Sequence, residues 1–143
     1  MDLRIVCLFT SLLMIAGCAS LRTGYAPPPG LLGEFEDDYG ITYSITSERW
    51  IQHPDATYLI MKWNTEERYL IAQNGSGNLS DAGLWTRIDW MELEGMEPYA
   101  WAFCLSAYDA PTAEAAEQKE IADRGNPRTG CNGFPFSRMK RTQ

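Results

Sequence analysis

Polar and apolar residues alternate over residues 41–46. Ile41, Tyr43 and Ile45 fall on one face of an extended chain, and Thr42, Ser44 and Thr46 fall on the other. That period of two, in residues that suit a pleated surface, predicts a strand with one buried side. Trp50 closes the run and Pro54-Asp55 marks a turn. Residues 57–63 are apolar on both faces apart from Lys62, the pattern of a strand covered on both sides. A polar link, Asn64-Thr65-Glu66-Glu67, leads to another strand-like run at 68–73, so the two predict a hairpin. Residues 74–83, with Gly75, Ser76, Gly77 and Asp81, predict the most mobile loop of the chain. Strands follow at 84–93 and 99–108, joined through residues 94–98. In the second of these, Tyr99, Trp101, Phe103 and Leu105 make a large apolar face that is predicted to be core. Ala100, Ala102, Cys104 and Ser106 make a small face suited to close packing.

One helix is predicted, over residues 112–124. Thr112 is its cap, Glu114 and Glu117 lie early where the helix dipole favours acids, and Gly125 and Pro127 end it. Its apolar side (Ala113, Ala116, Ile121 and Ala122) is thin, which suits a flat surface. Residues 130–139 then return and bring Phe134 and Phe136 to the body. Five or six strands with short links and one late helix predict an α+β domain that is mainly β. The expected form is a small antiparallel meander, either a curved sheet or a partial barrel, with a tied-down tail. Closed barrels of the lipocalin or avidin kind are the nearest architecture, but they need about eight strands, more than the pattern displays.

Ahead of the domain the pattern changes. Arg4 precedes an apolar run from Ile5 to Gly17, which is shorter than the roughly 20 residues a helix needs to cross a bilayer. Its length is that of a signal-peptide core. The run closes on Ile15-Ala16-Gly17-Cys18, which resembles the lipobox of bacterial lipoproteins. Confined to residues 1–20, the resemblance implies diacylglycerol transfer to the Cys18 thiol, cleavage after Gly17 and palmitate-type acylation of the new terminus. Two or more acyl chains give stable anchoring where one does not. Ala19, rather than Asp, implies by the same resemblance the outer membrane of a two-membrane cell, with the domain facing the periplasm or the surface. An ordinary secretory cleavage site fits less well, because Ile15-Ala16-Gly17 is a poor small-x-small triplet. The expected organisation is therefore a signal at 1–17, a proline-rich tether at 18–33 around Pro27-Pro28-Pro29-Gly30, and a single globular domain at 34–143.

Asp2 and Arg4 cancel, so the chain without its signal keeps the formal charge of −7. That acidity argues against nucleic acid as a partner and against anionic headgroups at the domain surface. After Asp123 every charged residue is basic (Arg124, Arg128, Arg138, Lys140 and Arg141), and the protein's own acidic body is the expected partner of this tail. Cys7 leaves with the signal and Cys18 carries lipid. Cys104 and Cys131 then remain in a compartment that oxidises thiols, and a disulfide between them is expected. A metal site lacks ligands, since His53 is the only histidine, and no cofactor is expected.

The most pointed local pattern is Trp85-Thr86-Arg87-Ile88-Asp89-Trp90. In a strand, Trp85, Arg87 and Asp89 share one face. If that face lines a cavity, Arg87 is a fork for a carboxylate or phosphate, oriented by Asp89, and Trp85 is a stacking wall. The plainer alternative is an Arg87–Asp89 pair on a solvated face. Glu34, Glu36, Asp37 and Asp38 precede the first predicted strand without calcium-loop spacing, and are expected to be a solvated edge. His53 sits in a turn with no glycine-flanked serine to partner it, so no catalytic residue is assigned.

Two readings follow. The first is an anchored envelope protein with a noncatalytic domain for a small ligand or a protein partner. A basic partner of the kind that lysozyme inhibitors bind fits by analogy only, because their serine and tyrosine motifs are not found. The second is an envelope hydrolase working through carboxylates such as Asp89, with a purely structural envelope role beside it.

Overall fold

The computed structural model describes residues 26–142. The predicted signal, the Ile15-Ala16-Gly17-Cys18 motif and the first part of the tether lie outside them. Pro29–Leu31 form a single 3₁₀ turn, and Leu31 is buried in the core, so the end of the predicted tether belongs to the folded unit. No helix among the described residues is long and apolar enough to cross a membrane.

Eight antiparallel strands run in chain order: β1 (Gly33–Asp37), β2 (Thr42–Ile45), β3 (Arg49–Gln52), β4 (Ala56–Asn64), β5 (Tyr69–Asn74), β6 (Trp85–Glu92), β7 (Trp101–Ala110) and β8 (Ser137–Arg141). Each pairs with the next, and β8 pairs with β1 to close a barrel. The protein is thus mainly β, as the alternation predicts, with strands that close completely. Full closure leaves no strand edge exposed to other chains. An even number of strands puts both ends of the described chain at the same end of the barrel. There Thr142 N–H donates to the Glu34 carbonyl, and Arg141 donates to that of Leu32.

The three strands that the pattern does not display are β1, β3 and β8, all short and poor in apolar residues. Each contains one or two apolar residues, too few for a period to emerge. The acidic cluster is not a solvated edge before the first strand but is β1 and its turn. Asp37 is buried, where its Oδ1 accepts the N–H groups of Tyr39 and Ile41 and its Oδ2 accepts the Tyr43 hydroxyl, each at 2.9 Å. Glu36 pairs with Lys140 at 2.9 Å and Asp38 with Arg138 at 2.9 Å. The basic tail therefore closes the barrel against the acidic first strand.

Eight strands leave an interior just wide enough to be filled by side chains. Here the filling is largely aromatic: Phe35, Tyr43, Trp50, Trp63, Trp90, Trp101 and Phe103 point inward. They meet edge to face, with centroids 5.1 Å apart for Phe35–Trp101, 5.0 Å for Trp50–Phe103 and 5.7 Å for Trp63–Trp90. The predicted loop at 74–83 is tied down by its own asparagines. Asn74 donates to the carbonyls of Asp81 and Tyr108, and Asn78 both accepts from and donates to the Thr57 backbone.

The predicted helix is real but short: α1 spans Ala113–Glu117, capped by Thr112 through the Ala115 N–H at 3.1 Å. Its early end has a geometric cause. Ala116 and Ala122 are both buried against the barrel wall, yet six positions apart they lie about 120° apart around an α-helix, wider than a narrow stripe facing one flat wall. The chain leaves the helix between them, and Ala116 packs on β5 and β7 while Ala122 packs further along β7.

Candidate functional site

Along β6 the side chains of Thr86, Ile88 and Trp90 are buried on the inner side, and Trp85, Arg87 and Asp89 share the opposite face, as the spacing predicts. That face looks out of the barrel. It is not open, because residues 111–136 lie across β5–β7 as a cover. Within the cover, α1 packs Ala116 on Tyr69, Ile71 and Ala110, with Trp85 alongside. Further on, Ala122 and Phe136 pack on Ala102 and Cys104. The Cys104–Cys131 disulfide, with Cα atoms 5.5 Å apart, staples the cover to β7. The cover folds back on itself so closely that a Cβ on Gly130 would sit 1.9 Å from the Asp123 carbonyl oxygen, so only glycine fits there.

Beneath the cover Arg87 is 3% exposed and Asp89 0%. Arg87 grips Asp89 with both prongs, Nε to Oδ2 at 2.9 Å and Nη2 to Oδ1 at 3.0 Å. Its remaining nitrogen, Nη1, donates to the Glu117 carbonyl at 2.6 Å. The Tyr69 ring lies 4.1 Å below the guanidinium. Asp89 takes two further donors, Arg124 Nη2 on Oδ1 at 3.1 Å and the Ser106 hydroxyl on Oδ2. Arg124 in turn donates to the carbonyls of Trp90, Glu67 and Arg68. Burial pulls its guanidinium below the ordinary arginine value, with Asp89 opposing the shift. Two guanidinium groups and one carboxylate are therefore held with nearly every donor and acceptor occupied. Arg87 has no fork left for an incoming anion, and Asp89 has no open path to a substrate. Trp85, half-buried, packs beside α1.

Arg124, Ser106 and Glu117 are the members of this cluster that the sequence does not announce. Ser106 owes its place to an irregular register: Arg87 pairs with Ala107 but Ile88 with Leu105, so Ser106 has no partner in β6 and turns toward Asp89. At the outer margin, Glu117 accepts from Lys62 and from the Tyr69 hydroxyl. Those two bonds, the lysine's first, hold its carboxyl below the ordinary value.

Two other places carry polar or apolar groups of interest. On the outer wall of β1–β3, Ser44 Oγ lies 2.7 Å from His53 Nε2 and donates to Glu34 at 2.7 Å. With the serine hydrogen on Glu34, the histidine is the donor to Ser44, so it does not act as its base. The second place is a groove of about 510 Å³ on the outer wall beside β7 and β8. Its floor is Ala102 and Phe136, both buried, and its sides include Tyr39, Leu93 and Met96. Arg128 and the Asp38–Arg138 pair stand at its edge. Tyr39 and Met96 remain 65% and 39% exposed.

No family model, curated protein or solved structure matches the chain.

Proposed function

We propose that this chain is a lipid-anchored protein of the bacterial envelope, with Cys18 as the acylated residue and a barrel that serves as a noncatalytic binding module. The observation that carries the binding reading is the contrast between a barrel interior packed with aromatic rings and an apolar groove left open on the outer wall. A barrel filled in this way holds no internal ligand chamber, so recognition belongs to the outside. The anchor rests on the lipobox-like Ile15-Ala16-Gly17-Cys18. A disulfide between Cys104 and Cys131 is compatible with an extracytoplasmic compartment.

Two arms test the reading. Expressed with its own leader in a bacterium fed labelled palmitate, the protein should fractionate with membranes and carry label, and Cys18→Ser should abolish both. An unlabelled, freely soluble wild type would sink the anchor. In the second arm, a photo-crosslinking residue at Tyr39 or Met96 should give a discrete adduct in intact cells, protein or small molecule. The same residue at Met61 on β4, across the barrel, should not. Equal yields from all three positions would remove the groove as the binding surface.

A further inference from the structure

Resting on the binding-module reading, we propose that the groove beside β7 and β8 takes a small amphiphile with a compact apolar body and one oxyanion head, the head meeting Arg128.

The apolar part of the case is geometric. The floor residues Ala102 and Phe136 are buried, and Leu93 packs beside them. Their positions are set before any ligand arrives, because the disulfide fixes the cover to β7 and the Phe136 N–H is bonded to the Pro127 carbonyl at 2.8 Å. A preformed groove costs little ordering on binding. About 510 Å³ falls within the size of small-molecule sites. Met96, unbranched and polarisable, adapts to bodies of different shape.

The head group follows from charge. The protein carries a formal charge of −7, yet the lining of this groove holds two arginines against one carboxylate. Arg138 is engaged: its Nε donates to Asp38 at 2.9 Å and its guanidinium lies 4.9 Å over the Tyr99 ring. Arg128 has no hydrogen bond or ion pair to any described residue. An exposed guanidinium at the mouth of an apolar groove, in an acidic protein, selects against cations and offers a fork to a carboxylate or phosphate. Both heads share that chemistry.

The test is an amide-resolved NMR titration of the intact domain with dodecanoate, dodecyl phosphate, dodecanol and dodecyltrimethylammonium, each below its own micelle concentration. Dodecanoate, dodecyl phosphate or both should saturably shift the amides of Met96, Ala102 and Phe136, and their relative affinity identifies the head. Arg128→Ala should weaken the preferred anion about tenfold, the loss of one charged hydrogen bond, and leave dodecanol unchanged. Met96→Glu, at an exposed position, should abolish binding while the thermal transition stays in place. The ammonium binding as tightly as the anions, or Arg128→Ala having no effect, overturns the head-group assignment. Absence of any saturable shift in the groove overturns the whole inference. If the cross-linked adduct at Met96 persists in that case, the module binds something of another class and only this inference falls.

Discussion

Inside the barrel, burial is apolar and aromatic; between the outer wall of β5–β7 and the cover, burial is charged. The centres of both layers are buried, but they settle different questions. Rings that meet edge to face contribute in proportion to the area they remove from water. They tolerate volume-conserving exchange, so they make the fold stable without dictating one arrangement. The Arg87–Asp89–Arg124 cluster behaves otherwise. Taking these groups out of water is costly, and their mutual attraction does little more than offset that cost. What the cluster supplies is a single solution. The placement of residues 111–136 brings Arg124 to Asp89 and the Glu117 carbonyl to Arg87 together, and a shifted cover would have to give up both bonds.

The comparison breaks most visibly through one substitution in each layer. Trp50→Ala removes a fully buried ring, and the expected loss is about 3–5 kcal/mol in urea unfolding. Asp89→Ala leaves two guanidinium groups facing each other without an anion, and the expected loss is also about 3–5 kcal/mol. The two should differ in where they act. Hydrogen exchange in the tryptophan variant should quicken across the whole barrel, and in the aspartate variant first within residues 111–136. Replacing the cluster entirely, with Arg87→Met, Asp89→Leu and Arg124→Met, should recover most of the stability while the cover keeps exchanging fast. If that triple variant protects the cover as well as wild type does, the charged layer has no role in positioning.

Removing the staple comes next in size. Cys104→Ala with Cys131→Ala opens a connection of 27 residues, and the loop-entropy account gives a loss of about 3–4 kcal/mol. Because both cysteines belong to the cover and the strand beneath it, the damage should fall on the cover. Barrel amides in β3 and β4 should keep their relative protection. Uniform loss across all strands would mean that the cover and the barrel form one cooperative unit.

How far the chain displayed this arrangement depends on how each part announces itself. β2, β6 and β7 are legible because one kind of side chain repeats on one side, and β4 and β5 because they are apolar runs between polar links, although β4 is covered on one side only and leaves Leu59 and Met61 exposed. β1 and β8 were hidden by their charges: Glu36 and Lys140 read as a solvated edge and a basic tail until they are seen to pair across the closure. Thr112 as cap was legible, but the end of α1 at Glu117, well before the Gly125 expected to stop it, was not, since it follows from where Ala116 and Ala122 meet the wall. The shared face of Trp85, Arg87 and Asp89 was also readable. Its fate was not, because alternation separates the two sides of a strand without saying which looks inward or what lies over it. The groove has still less signature, as its residues come from the turn after β1, the link between β6 and β7, β7, β8 and the cover.

The smallest expected effect lies at the margin of the charged layer, where Glu117 ties the cover to β4 and β5. Its carboxyl is held below the ordinary value of 4.5, first by the Lys62 hydrogen bond and then by the Tyr69 hydroxyl. A lowered folded value means that the contribution is present above the unfolded value and is lost as the pH falls through the folded one. The stability of cover docking should therefore slope downward below about pH 4.5. Tyr43, inside the barrel, carries the opposite sign. Burial and then Asp37 hold its phenol far above the ordinary value of 10, so its contribution is intact at and below that value and is lost only in strong alkali. The acid effect stays under about 1 kcal/mol, because the Glu117 and Lys62 side chains are 37% and 44% exposed to screening water. Glu117→Gln should flatten the acid slope of cover protection, measured by hydrogen exchange at residues 113–117, and should also lower the alkaline pH at which Lys62 lets go, because the Glu117 bond is what holds that ammonium above its ordinary value. Added salt should shrink the wild-type slope toward that of the variant, as it does for exposed pairs and not for buried ones. An acid slope that survives Glu117→Gln unchanged would move the sensitivity into the buried cluster itself, and the inner edge of the charged layer would then be its weak point instead of the outer one.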